Sequence, residues 1–290
     1  MKKKKLLPNK MGPINVSWHI TFECNYDCLF CFRPNFGGEC SLDEAKKIID
    51  KLAKAGLKKI SWGGGEPLLW KGMYELIEYT HNLGISTMLI TNGELLDKTK
   101  IKKLEKSLDW LNLPLDGSNE KMQSLMTRKK GHFKRVKNII NFIKKNKINI
   151  SLKINTVASR INKDDIVNIA KFVKANKIER WKIFQFYPIR MMSIKNKVLY
   201  QMKDSDFLRL KEEIMPSFKK TKQMVVFETN EDMERSYFAI SSSGKVYVSH
   251  KGKDYIIGDL KKDSIEKIWK NDLLDKLKYW ERSKWVLRNQ

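Results

Sequence analysis

Residues 14–31 read INVSWHITFECNYDCLFC, a short β-rich run followed at once by three closely spaced cysteines. Five further β-rich runs, at 59–62, 86–90, 110–115, 150–157 and 180–186, alternate with helical patterns. That order argues for βαβ units around a parallel sheet. The clearest helix lies over 42–55. Leu42, Ala45, Ile48, Ile49, Leu52 and Ala53 fall on one helical face, Ser41 with Glu44 forms a capping box, and Gly56 suits the far end. Similar patterns cover 73–83, 133–145 and 163–175. Six strand–helix units predict an α/β fold, an open or partial (β/α)6 barrel rather than a closed eight-stranded one.

After Phe186 the rhythm changes. Helical patterns at 204–219 and 265–280 flank short strands at 239–241, 245–249 and 255–257, with a turn at Gly244. We expect three segments: a basic N-terminal tail over 1–13, the barrel over 14–190, and an α+β extension over 191–290.

The 290 residues are 41% hydrophobic, enough for a sizeable core, and no apolar run approaches a membrane span. The basic start lacks a signal-peptide core, so a cytoplasmic protein is expected. In that compartment four cysteines suit metal ligands or thiols better than disulfides. The balance of 58 basic to 33 acidic residues, a formal +25, attracts phosphates of nucleic acid, an acidic membrane surface or a nucleotide. Many of these lysines are equally consistent with a solvated surface. The informative cations are those on strands that point inward.

In barrels of this kind, chemistry sits at the C-terminal ends of the strands. The cysteine loop follows the first strand, Gly63-Gly64-Gly65-Glu66-Pro67 the second, Thr91-Asn92-Gly93 the third and Asp116-Gly117-Ser118 the fourth. Asn155 and Gln185 fall at the ends of the fifth and sixth. Cys24, Cys28 and Cys31, spaced C-x3-C-x2-C, provide three thiolates on one loop. Four-iron clusters ordinarily take four, so three leave one iron open. A zinc site would need a fourth ligand, for which Cys40 or His19 is available. Tyr26, Phe30 and Phe32 would shield a cluster, and Cys40 reads as structural. The glycine loop fails as a phosphate loop because no Gly-Lys-Ser/Thr follows. It is either a tight turn or a cradle for the amino and carboxylate groups of a cofactor.

These residues resemble the radical S-adenosylmethionine superfamily from about Ser17 to Phe186. The cysteine triplet matches its defining motif, and Gly64-Gly65-Glu66-Pro67 matches the element that binds the methionine amino group. The resemblance implies a barrel of the radical SAM type, a [4Fe-4S] cluster and S-adenosyl-L-methionine as cofactors, and a 5′-deoxyadenosyl radical that abstracts hydrogen. Within the superfamily the chain is most similar to viperin and its prokaryotic relatives, nucleotide dehydratases of antiviral defence. The likeness lies in Cys24–Phe32, Lys153 to Asn155, Arg180 to Gln185, and Glu228 to Tyr237. It implies that Lys59, Lys153, Arg180 and Lys182 grip a triphosphate, and that Tyr237 lines its base or ribose. Asn92, Arg128 and Asn155, with Gly64, Gly65 and Glu66, would contact S-adenosylmethionine. The extension would close over the substrate, and an electron donor such as a flavodoxin or ferredoxin would serve the cluster. Ser17 stands near the substrate where those enzymes tend to have asparagine, and Phe186-Tyr187-Pro188-Ile189-Arg190 is unlike their sequence.

By period two, 153/155 and 180/182 each share a strand face. An inward cation is costly unless an anion meets it, whether a phosphate or a buried carboxylate. The resulting expectation is dehydration of a ribonucleoside triphosphate, CTP or UTP favoured. Hydrogen is taken from ribose C4′, the 3′-hydroxyl leaves, and a 3′-deoxy-3′,4′-didehydro nucleotide results. A peptide-modifying radical enzyme is the alternative, since residues 244–269 resemble the C-terminal domain in which such enzymes bind auxiliary clusters. No cysteine follows Cys40, which counts against it. A basic nucleic-acid-binding protein with structural zinc is the rival from another class, but it would place its cations outside. We expect no stable nucleic-acid complex.

Overall fold

The computed structural model describes residues 12–288, so the basic tail expected over 1–13 lies almost wholly outside the described residues. Ten strands form one sheet. They are β1 (Asn15–Thr21), β2 (Lys59–Gly64), β3 (Ser86–Ile90), β4 (Trp110–Pro114), β5 (Ser151–Ala158), β6 (Arg180–Gln185), β7 (Met224–Glu228), β8 (Ala239–Ile240), β9 (Lys245–His250) and β10 (Lys253–Asp259). Their order is β10-β9-β8-β1-β2-β3-β4-β5-β6-β7. Strands β1 to β7 run parallel, β8 is parallel to β1, and β9–β10 is an antiparallel hairpin. The chain after residue 190 therefore supplies both edges, β7 beside β6 and β8–β10 beside β1. β7 is a seventh parallel strand beyond the six that the sequence suggests.

Alternation along the strands separates two environments. Val16, Trp18 and Ile20 on β1, Ile60 and Trp62 on β2, Leu152 and Ile154 on β5, and Trp181 and Ile183 on β6 are all but fully buried in the main core. Each such side chain contributes about 1.5–3 kcal/mol on leaving water. The intervening positions, among them Ser17, His19, Ser61, Lys153, Asn155, Arg180 and Lys182, face inward and are polar.

The helix Leu42–Lys54 shows how local chemistry sets an element. Ser41 Oγ accepts from Glu44 N–H at 3.2 Å and Glu44 Oε2 accepts from Ser41 N–H at 2.9 Å, closing the predicted capping box. Ala45, Ile48, Ile49 and Leu52 bury its inner face. At the far end of the chain, the helix Lys276–Ser283 is tied to β1, because Tyr279 hydroxyl accepts from Asn15 N–H (2.8 Å) and donates to Asn15 carbonyl (2.9 Å). The turn Lys284–Arg288 then brings Trp285 edge-on to Trp110 at the first residue of β4.

Candidate active site

The strand-end loops converge as the sequence predicts. A cavity of about 310 Å³ opens between them, lined by all three clustered cysteines together with Gly64, Gly65, Asn92, Arg128, Asn155, Ser17 and Tyr237. Asn155 lies inside β5 rather than at its end, three residues before Ala158. Its Oδ1 is buried and has no hydrogen-bond partner among the described residues. An orphaned acceptor on a residue that lines the cavity fits a donor of a bound cofactor.

The glycine loop explains itself through contacts with its own chain. Gly65 N–H donates to Thr21 carbonyl (2.8 Å) and Glu66 N–H to Glu23 carbonyl (2.7 Å). A Cβ on Gly65 would lie 2.0 Å from Glu23 O, and one on Gly64 2.3 Å from Thr21 O. The glycines thus let the β2 exit lie flat against the segment leading into the cysteine loop. Glu66 does not reach the cavity. Fully buried, its carboxylate accepts from Thr91 hydroxyl (2.7 Å), Asn92 N–H (2.8 Å) and Leu68 N–H (3.2 Å), so it positions the neighbouring loop. Asn92 in turn donates to Asn25 Oδ1 at 2.7 Å, and Asn25 donates to Glu94.

Further contacts set the cysteine loop in place. Leu29 N–H donates to Thr127 hydroxyl at 3.0 Å, and Arg135 donates to Tyr26 hydroxyl at 2.7 Å. Arg128 forks onto Asp116 at 2.7 and 2.8 Å and places Nη1 3.4 Å from Cys28 Sγ. Burial pushes the Cys28 thiol up to about 11, against the pull of Arg128, and raises Cys24 as well. Cys40 sits elsewhere, in the main core, with its N–H on Ser242 carbonyl. His19 Nδ1 is bonded to Tyr247 hydroxyl. Neither fourth ligand considered for zinc joins the three thiols. Among the described residues no three His, Cys, Asp or Glu side chains gather around a single-ion position. Three thiols on one loop, each lining the cavity, suit a cluster that binds each sulfur through a different iron.

Below this cavity the barrel interior is cationic. Lys59 is 1% exposed, its Nζ has no hydrogen-bond partner among the described residues, and it lies 5.0 Å from the ring centres of Trp110 and Trp285. Arg180 stacks 3.7 Å over Trp285, and its Nε and Nη1 are likewise without hydrogen-bond partners. Both side-chain atoms of Asn112 share that state. Burial holds Lys59 well below the usual lysine range. It does the same to Lys153, where Lys182 and Arg180 add like charge. Burial also brings Arg180 down to about 10.

Lys182 differs. Its Nζ lies 2.5 Å from Glu228 Oε1 and 2.9 Å from Tyr237 hydroxyl, so here the carboxylate partner takes the place of the phosphate suggested by sequence. Arg282 shares Glu228 at 2.5 Å and lies 3.6 Å from the Tyr237 ring centre. Burial alone would raise Glu228, but Lys182 and Arg282 outweigh it and hold it at about 2. Lys59, Lys153, Arg180 and Lys182 do not line the upper cavity. Arg180 lines a second opening at the N-terminal ends of the strands, with Ser86, Trp110, Ser151 and Met224. Sequence reasoning missed Arg282 and Trp285. Their partners stand 45 or more residues away, and no local pattern signals such a contact.

The profile described as Radical SAM superfamily matches residues 18–173, and one described as an iron–sulfur cluster-binding domain, SPASM, matches 232–288. The latter segment contains no cysteine. The chain is 30% identical over 246 residues to the S-adenosylmethionine-dependent nucleotide dehydratase of Lacinutrix mariniflava, covering 80% of this chain and 50% of that protein. It therefore spans half the length of that relative. It is also 30% identical over 259 residues to a protein of the same name from Flammeovirga pacifica, covering 84% and 85% respectively. Among solved structures, Streptococcus suis SuiB bound to precursor peptide SuiA shares the fold, with a TM-score of 0.72 at 18% identity over 92% of this chain and 67% of that one.

Proposed function

The chain belongs to the radical S-adenosylmethionine superfamily, and from that premise we propose that it dehydrates a ribonucleoside triphosphate. Its relatives named nucleotide dehydratases support this reading. The observation that carries it is the pair of buried cations Lys59 and Arg180: Lys59 Nζ and Arg180 Nε and Nη1 have no hydrogen-bond partner among the described residues. An uncompensated buried charge costs several kcal/mol, so such a pair is retained where an anion meets it. A triphosphate entering from the upper cavity would meet Lys153, then Arg180 and Lys59, while Tyr237 and Ser17 line the ribose or base.

Cys24, Cys28 and Cys31 would hold a [4Fe-4S] cluster. Gly64, Gly65, Asn92, Arg128 and Asn155 would surround S-adenosylmethionine, with Glu66 acting through the loop it positions. When bound, these cofactors supply a 5′-deoxyadenosyl radical that takes a hydrogen atom from the substrate. The chain's own contribution is placement. The barrel cations fix the triphosphate end, which orients ribose C4′ toward the cysteine-lined cavity, and the aromatic wall of Phe32, Phe184 and Tyr237 excludes water. CTP and UTP are the favoured substrates, and an antiviral role is carried by the resemblance alone. Among the described residues no helix is long and apolar enough to cross a membrane.

The test is anaerobic incubation of reconstituted enzyme with S-adenosylmethionine, dithionite and each ribonucleotide in turn. 5′-Deoxyadenosine should rise with at least one triphosphate and not with the matching nucleoside. If it rises with none, the dehydratase reading is wrong.

A further inference from the structure

We propose that His19, backed by Tyr247 and Arg190, is the catalytic acid that supplies the proton on which the 3′-hydroxyl leaves as water. This deepens the dehydratase reading above and rests on it. On β1, Trp18 turns into the core, so Ser17 and His19 stand together on the barrel face by period two. Ser17, His19, Tyr237, Tyr247 and Arg190 all line the cavity that the three cysteines line. The ribose that Ser17 and Tyr237 would border therefore lies along the wall that carries His19. Hydroxide is a poor leaving group, and a positioned acid contributes about 10²–10⁴-fold to such a step.

Hydrogen bonding fixes which ring nitrogen of His19 holds the proton. Tyr247 is 1% exposed, and the partner of its hydroxyl among the described residues is His19 Nδ1 alone. A buried hydroxyl that fails to donate costs about 1–3 kcal/mol, so Tyr247 donates and Nδ1 accepts. Burial, with Arg190 adding like charge, holds His19 at about 3, so the ring is neutral and its single hydrogen sits on Nε2. Nε2 has no hydrogen-bond partner among the described residues. Its neighbour Cδ2 is 3.6 Å from the point where a Cβ on Gly63 would stand, and the glycine leaves that side of the ring open. Other polar groups of the cavity are engaged elsewhere. Tyr237 hydroxyl donates to Glu228 at 2.7 Å, Asp116 is held by Arg128, and Ser61 hydroxyl lies against Met88 sulfur.

The step balances. Once C4′ has lost its hydrogen atom, the C3′–O bond breaks with both electrons on oxygen, and Nε2–H gives that oxygen a proton, forming water. Nδ1 takes the Tyr247 hydroxyl proton in the same motion, so the imidazole stays neutral. The phenolate then stands beside Arg190, whose guanidinium lies 5.5 Å from the Tyr247 ring centre and is held by Asp254 at 2.6 and 2.8 Å. Burial raises the Tyr247 hydroxyl and Arg190 draws it back, yet departing hydroxide is the stronger base. The sugar radical cation gains one electron from a low-potential one-electron reductant, the class that dithionite represents in the assay. One solvent proton arriving at Nε2 returns the relay to its starting state.

The experiment supplies reconstituted enzyme with S-adenosylmethionine, dithionite and CTP or UTP, and counts dehydrated nucleotide per 5′-deoxyadenosine. Binding of CTP to the same holoenzyme is read by calorimetry. In His19→Gln and in Tyr247→Phe the ratio should fall at least about tenfold while Kd stays within about twofold. Phe36→Leu alters the ring 4.6 Å from that of Tyr247 without removing a proton, and should keep the wild-type ratio. Tyr247→Phe deletes only a hydroxyl, so it reads the relay even where His19→Gln fails to fold. A wild-type ratio in Tyr247→Phe would overturn the proposal. So would product and 5′-deoxyadenosine falling together with loss of CTP binding in both variants. Failure of every triphosphate to raise 5′-deoxyadenosine in wild type would sink the dehydratase reading, and the relay with it.

Discussion

Nζ of Lys182 lies 2.5 Å from Oε1 of Glu228, the same oxygen that Arg282 reaches at 2.5 Å, so one buried carboxylate is shared by two cations. Holding Glu228 at about 2, below its usual 4.5, means that its contribution is present above pH 4.5 and is lost as pH falls toward 2. Glu228→Gln should therefore cost about 3 kcal/mol at neutral pH, since both cations lose their counter-charge. It should also flatten the acid limb of the stability curve. Denaturant unfolding between pH 2 and 7 checks both effects.

Lys59 and Arg180 should behave in the opposite sense. Lys59→Met removes a buried amine without a hydrogen-bond partner among the described residues, so the ligand-free protein gains about 1–2 kcal/mol and melts a few degrees higher. Its response to triphosphate should vanish, where wild type gains about 2.7 kcal/mol at a hundredfold excess over Kd. Arg180→Met should likewise abolish the response. Thermal melts with and without CTP distinguish a structural lysine, whose loss would lower both curves.

Gly65→Ala should destroy the rim. Its Cβ would meet backbone, Glu23 O at 2.0 Å and Phe22 O at 2.6 Å, which no side-chain rotation relieves. Gly63→Ala meets nothing nearer than 3.6 Å. After reconstitution the first variant should lose most of its iron and the second retain it, as read by iron and sulfide per chain.

The cysteines divide in the same assay. Cys24→Ala, Cys28→Ala and Cys31→Ala should each lose the iron, whereas Cys40→Ala keeps it and costs about 1 kcal/mol of core packing. Retention of iron in all three loop variants would refute the ligand assignment.

What could be seen in advance was local in sequence. Cys24, Cys28 and Cys31 lie within eight residues, and Ser41 with Glu44 within four, so spacing alone exposed the cysteine loop and the helix cap. β7 escaped because Met224–Glu228 lies beyond Phe186, where the regular strand–helix rhythm breaks, although the helices Asp204–Ile214 and Asn230–Met233 flank it. The partners of Lys182 escaped for another reason. Glu228 and Tyr237 lie 46 and 55 residues downstream, the first brought in by the pairing of β7 with β6, and Arg282, which shares Glu228, lies 100 downstream on the helix that returns to β1 through Tyr279 and Asn15. For Glu66, the motif marked an important carboxylate, but its three hydrogen bonds within the fold, not its place in sequence, make it a support for Thr91 and Asn92.

The central claim is that barrel cations hold a nucleoside triphosphate with ribose C4′ facing the radical. The most direct measurement supplies CTP or UTP deuterated at C4′ and weighs the 5′-deoxyadenosine formed. One deuterium in 5′-deoxyadenosine, with the product nucleotide lighter than its labelled substrate by the C4′ deuterium and the 3′-hydroxyl, is the predicted result. 5′-Deoxyadenosine formed without label from either nucleotide would contradict it.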